Sequence, residues 1–227
     1  SDVYKRQVML ENHNQYGRSM LEMLGVLAIV GILSVIGIKS FQYAMERHRV
    51  NELAEEYIGF IQNLLPYETD FVKIKKTKSP EKALYLVPYI RKMNVIPPKW
   101  QVVNGNYLRD SIGTLLDPHI RHEPGGIREN KITWNYILKS AETNVSSQKL
   151  CEIMYARIVL PYHELISMVA YFTDETEGNS SGVHEYGDNY CNGKSRQCIT
   201  SLTLTDIQGR CSRCEDKNRR CLLVISF

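Results

Sequence analysis

The chain has 227 residues, 28 Lys and Arg against 25 Asp and Glu, a net charge of +3, and six cysteines. That size accommodates one long terminal helix plus one moderate domain with a single core, which leaves no room for several large domains. No P-loop, Gly-rich dinucleotide fingerprint or Ser nucleophile motif is present, and His48, His119, His122, His163 and His184 show neither zinc-protease nor triad spacing. No enzyme activity, catalytic residue, metal ligand set or cofactor is therefore expected.

In chain order, Ser1 to Val8 (SDVYKRQV) fit neither a leader nor a helix, and Met9 is the natural start. Residues 1–8 are expected to be a non-native extension. Gly17 to Ile38 then read GRSMLEMLGVLAIVGILSVIGI. About twenty residues suffice to cross the ~30 Å hydrocarbon core of a bilayer. The run is too long for a cleaved secretory signal, and no A-x-A-like site comes after it. One charge, Glu22, lies near its start. A carboxylate inside such a run costs roughly 2.5–3.5 kcal/mol on insertion scales, so it needs a neutralising partner. Gly25, Gly31 and Gly37, with Ala28 and Ser34 between them, read as small residues that let helices approach closely in lipid. Flanking cations do not choose an orientation: Lys5, Arg6 and Arg18 lie on one side, and Lys39, Arg47 and Arg49 on the other.

The pattern of a Gly, a Glu five residues on and an apolar helix resembles the amino terminus of type IV pilins and type II secretion pseudopilins. Arg18 stands where that family usually has Phe or Met. Lys39 stands where many members have a helix-bending Pro. No Lys or Arg lies between Met9 and Gly17, where family leaders are usually basic. The resemblance implies a leader peptide at 9–17, cleavage between Gly17 and Arg18 by a prepilin peptidase, and methylation of the new amine. It implies that the amino group of Arg18 neutralises Glu22 of a neighbouring subunit, with 18–38 as a transmembrane and assembly helix. It further implies a single-pass protein of the bacterial inner membrane with its C-terminal domain extracytoplasmic, forming a cell-surface filament or a periplasmic pseudopilus when assembled. The partners implied are other pilin or pseudopilin subunits, the prepilin peptidase and an inner-membrane assembly platform.

Helical periodicity continues through 39–65 as an amphipathic stretch, with Phe41, Met45, Leu53, Tyr57, Ile58, Ile61 and Leu65 near helical spacing, until Pro66 stops it. Residues 66–79, with Lys73, Lys75, Lys76 and Lys78, read as a solvated loop. Ser79-Pro80 predicts the start of a helix reaching about Asn94, kinked at Pro88. WQVV before Asn104-Gly105 predicts a strand, and in ITWNYIL the residues Ile132, Trp134, Tyr136 and Leu138 share one face. Pro124-Gly125-Gly126 reads as a loop, and His119, His122 and Glu123 as a turn rather than a metal cluster. Ser146 or Ser147 caps a helix over QKLCEIMYARIVL that ends near Pro161. ISMVAYF (166–172), SLTLTDI (201–207) and CLLVISF (221–227) read as strands, and 174–198 as a long loop.

The expected fold is α+β: a long N-terminal helix, transmembrane then amphipathic, packed on a small antiparallel sheet in an extracytoplasmic domain at 66–227. The resemblance implies a pilin-like lollipop. Cys151, Cys191, Cys198, Cys211, Cys214 and Cys221 are disulfide candidates, since an exported domain favours oxidation over a four-thiolate zinc site. Fifteen pairings are open. Cys151 should reach from its helix to the cluster, and a Cys211–Cys214 bridge is one arrangement among several. The Cys-rich loop, 174–221, is the expected contact surface for partners. Lys194, Arg196, Arg210, Arg213, Lys217, Arg219 and Arg220 could bind nucleic acid phosphates, but the acidic Asp174, Glu175, Glu177, Glu185 and Asp188 could be their internal partners, and a solvated loop is the favoured reading. The expected function is a structural subunit of a type IV pilus or type II secretion pseudopilus. The alternative is a non-polymerising single-pass anchored binding module with a disulfide-rich or zinc-binding tail.

Overall fold

The computed structural model describes the backbone of residues 2–138, 146–174, 180–215 and 220–227, and the side chains of residues 20–138, 146–172, 182–214 and 221–227. The chain divides into two compact units, Ser1–His48 and Arg49–Phe227. Helix α1 (Asp2–Leu64) contributes to both.

The first unit is helix. Every side chain from Met20 to Met45 is exposed. In the second unit, the remainder of α1 buries Val50, Leu53, Ala54, Tyr57, Phe60, Ile61 and Leu64. These fall three, four and seven residues apart, which is one stripe of a helix. Pro66 closes α1 as expected, but the residues beyond it do not form a loop. A 3-10 turn over Leu65–Tyr67 leads into α2 (Glu68–Lys78). Phe71 and Lys75, one turn apart, are its buried face. The lysine-rich composition hides this helix, because it obscures a single apolar contact per turn.

Eight strands complete the sheet, all paired antiparallel. They are β1 (Leu84–Tyr85), β2 (Gln101–Val103), β3 (Tyr107–Arg109), β4 (Leu115–Ile120), β5 (Ile132–Ile137), β6 (Met168–Asp174), β7 (Ser180–Tyr186) and β8 (Arg220–Ser226). The sheet order is β2-β3-β4-β5-β8-β6-β7, with β1 added beside β4. It is thus larger than the small sheet expected. The final strand enters at the middle, between β5 and β6. Pro118 sits inside β4 without breaking it. Its carbonyl accepts from Leu86 N at 2.9 Å, so its ring nitrogen also faces away from β5, in the gap between the β3 and β1 pairings.

Two rows of side chains on one sheet face make the core. Leu108, Leu116, Tyr136, Leu223 and Tyr171 are cross-strand neighbours, as are Trp134, Ile225 and Val169. The α1 stripe lies on them: Tyr57 is 4.9 Å from Tyr136, and Phe60 is 5.4 Å from Trp134, centroid to centroid. The expected face of Ile132, Trp134, Tyr136 and Leu138 is buried throughout.

Three other elements differ from expectation. The helix predicted from Pro80 is β1 followed by the short α3 (Val87–Met93), with Pro88 in its first turn, where a missing N–H costs nothing. The long loop predicted over 174–198 contains β7. Its sequence, SSGVHEY, is nearly without apolar alternation, and its strand state comes from pairing along the whole of β6. SLTLTDI alternates like a strand, yet Thr203 and Asp206 form a reciprocal capping box that starts α5 (Leu204–Cys211). The helix predicted after Ser146 is α4 (Ser147–Met154), capped by Ser146 and followed by a π turn over Tyr155–Val159.

Candidate functional site

The candidate site with the clearest physical demand is the apolar helix of the first unit. Among the described residues it is the one helix long and apolar enough to cross a membrane. Its large side chains are far from buried: Leu21 is 72% exposed and Leu33 is 61% exposed. Glu22 is on this surface too. Gly17 and Arg18 lie in α1, and their side chains fall outside the described residues. A Cβ added at Gly25, Gly31 or Gly37 would meet nothing within 4 Å. Ser34 returns its hydroxyl to Val30 O at 2.7 Å, which spares it a polar demand on the surroundings. At 100° per residue, steps of three residues move 60° around the helix each time. Gly25, Ala28, Gly31, Ser34 and Gly37 therefore wind around α1 rather than lining one face.

The cysteines form three disulfides: Cys151–Cys211, Cys191–Cys198 and Cys214–Cys221. Cys151 does reach the tail, tying α4 to α5. Cys211 and Cys214 do not pair with each other: each is taken by a different partner, Cys211 by the helix α4 and Cys214 by the strand β8. Tyr171 of β6 places its hydroxyl 3.3 Å from Cys214 Sγ and 3.1 Å from Cys221 Sγ, so the last bridge sits directly on the core.

The basic residues of the tail are partly committed. Arg210 Nη1 meets Glu185, which is fully buried at the end of the Trp134–Ile225–Val169 row. Tyr155 donates to the same carboxylate at 3.2 Å. Burial pushes the Glu185 carboxyl up to about 7, against the pull of Arg210. The acidic stretch thus supplies an internal partner to the basic one, as the sequence allowed. Arg196 stacks over the Tyr186 ring at 5.7 Å. Lys194 and Arg213 are exposed. Glu175, Glu177, Lys217 and Arg219 lie outside the described residues, and the side chains of Asp174 and Arg220 do as well.

His119, His122 and Glu123 do not converge. His119 Nδ1 is 2.9 Å from Asp117 O, His122 Nδ1 is 3.4 Å from Lys75 Nζ, and Glu123 pairs with Arg128 at 2.7 Å. The buried Asp117 carboxylate accepts from Asn135 across the strand at 2.9 and 3.0 Å. Burial raises the Asp117 carboxyl and lowers the His119 imidazole. Sequence reasoning also misses Lys75 as a structural group. It is 2% exposed and bonds Glu129 at 2.9 Å and Asn130 at 3.0 Å, which pins α2 to the loop after β4. Only its partner Glu129, 54 residues away, distinguishes it from neighbouring lysines.

No family model, curated protein or solved structure matches the chain.

Proposed function

We propose that the chain is a type IV pilin-like or pseudopilin-like subunit, anchored in the bacterial inner membrane, processed after Gly17 and assembled through its N-terminal helix. The observation that carries this reading is the unbroken exposure of an apolar helix from Met20 to Met45. A surface of that kind needs lipid or other apolar helices around it. In either setting Glu22 needs a counter-charge, and the amine freed by cleavage before Arg18 would supply one from a neighbouring subunit.

Two further features support the reading. Small residues that wind around α1 suit a helix with neighbours on several sides, whereas a single dimer seam would repeat them every four residues. Three disulfides in the second unit suit an oxidising compartment outside the cytoplasm.

The test is co-expression with a prepilin peptidase and an assembly platform, followed by recovery of sheared filaments. The wild type should appear in the filament fraction. Glu22→Ala should be cleaved normally and remain in the membrane. Normal incorporation of Glu22→Ala would contradict the charge-pair role. Wild type held wholly in the membrane would favour an anchored binding module whose tail is its binding face.

A further inference from the structure

Residues 76–92 run from the end of α2 through β1 into the last turn of α3. They hold five cations, Lys76, Lys78, Lys82, Arg91 and Lys92, against one acid, Glu81. That local net charge of +4 exceeds the +3 of the whole chain. All five cations are exposed.

The fold gathers them. Phe71 of α2 meets the Tyr89 ring of α3 at 6.5 Å, and Lys78 Nζ lies 5.6 Å from the centre of the same ring. Lys92 follows Tyr89 by three residues, one turn along α3. The turn after α2 folds Lys82 back on Ser79: Lys82 N donates to Ser79 O, and Ser79 Oγ to Lys82 O, each at 3.4 Å. Lys78 and Lys92 thus stand beside Tyr89, and Lys82 stands against the end of α2. The C-terminal ends of both helices favour cations, which lets the fold hold these like charges together. A second observation sets the group apart. Among the described residues none of the five is ion-paired, whereas Lys73, Lys75, Lys99 and Lys131 each meet a carboxylate.

We propose that this α2–α3 surface binds the phosphate backbone of duplex DNA without reading its sequence. Four of the five cations are lysines, compact point charges suited to phosphates, and clustered charge of one sign is the footprint of a polyanion site. A lipid surface would ask for large apolar side chains among the cations. Tyr85 is the one exposed large apolar side chain in this segment. Tyr89 is taken up by Lys78 and Phe71, so it adds no platform for stacking the bases of a single strand.

The experiment is fluorescence anisotropy of a short labelled duplex of random sequence, titrated with the full chain in non-ionic detergent over a range of salt. The wild type should bind, with log K falling against log salt at a slope of about −4.5 for five neutralised phosphates. Lys82→Gln with Lys92→Gln alters two exposed residues and should weaken binding and reduce that slope by about 2. Lys194→Gln with Arg213→Gln, in the tail, should change neither. No binding, a slope near zero, or equal loss from the tail pair would overturn the assignment. Displacement of the duplex by an equal charge of anionic phospholipid in the detergent would overturn it in favour of a membrane surface.

Discussion

Asp110 joins helix to sheet. Its Oδ1 accepts the backbone N–H groups of Ile112 at 3.0 Å and Thr114 at 2.7 Å. Its Oδ2 accepts the hydroxyl of Tyr57, on α1, at 3.0 Å and approaches that of Tyr136, on β5, at 3.5 Å. Burial pushes the carboxyl up to about 7, although the backbone donors pull it down. A carboxyl whose folded value lies above its unfolded value favours folding most when protonated. Its contribution is therefore greatest below about pH 4, falls as pH rises to about 7, and is level above that, a change of up to about 4 kcal/mol. Asp110→Asn preserves the shape and removes the titration. The wild type minus Asp110→Asn difference in unfolding free energy should fall between pH 4 and 7 in urea melts of the full chain in detergent. A difference that is flat or rises over that window would contradict this role. The same comparison cancels His119, whose lowered pKa works in the opposite direction.

The tail is held element by element. Cys151–Cys211 closes a span of 60 residues, whereas Cys191–Cys198 and Cys214–Cys221 each close a span of 7. Loop-closure entropy assigns about 4 kcal/mol to the long bridge and about 2.5 kcal/mol to a short one. Replacing both Cys151 and Cys211 by Ala should therefore lower stability more than replacing Cys191 and Cys198, as read from denaturant midpoints. The reverse order would show that strain or unfolded-state structure dominates. Legibility in the sequence obeys the same local logic. β5 is legible because Ile132, Trp134, Tyr136 and Leu138 alternate cleanly into the core. β7 is not, because its pairing with β6 is supplied from elsewhere in the chain. α5 is hidden because the alternation in SLTLTDI competes with a Thr-x-x-Asp cap, and the cap wins. The meeting of Glu185 with Arg210, and of His163 with Asp188, depends on folding across 25 residues in each case and leaves no spacing signature.

For the whole molecule, the two units make opposite demands on solvent. Unit two buries its apolar residues in its own core. Unit one presents Met20 to Ile38 outward and has to be covered by something else. The α+β fold and a long apolar helix are legible from periodicity and composition, because both are properties of segments. What covers the helix is not a property of a segment, and in the proposed reading Gly17, Arg18, Glu22 and the small residues along α1 are what bear on it. The most direct measurement is the intact mass and N-terminal sequence of the protein co-expressed with a prepilin peptidase. A mature chain that begins at Arg18 is expected. A chain that retains Met9 to Gly17 in the presence of active peptidase would contradict it.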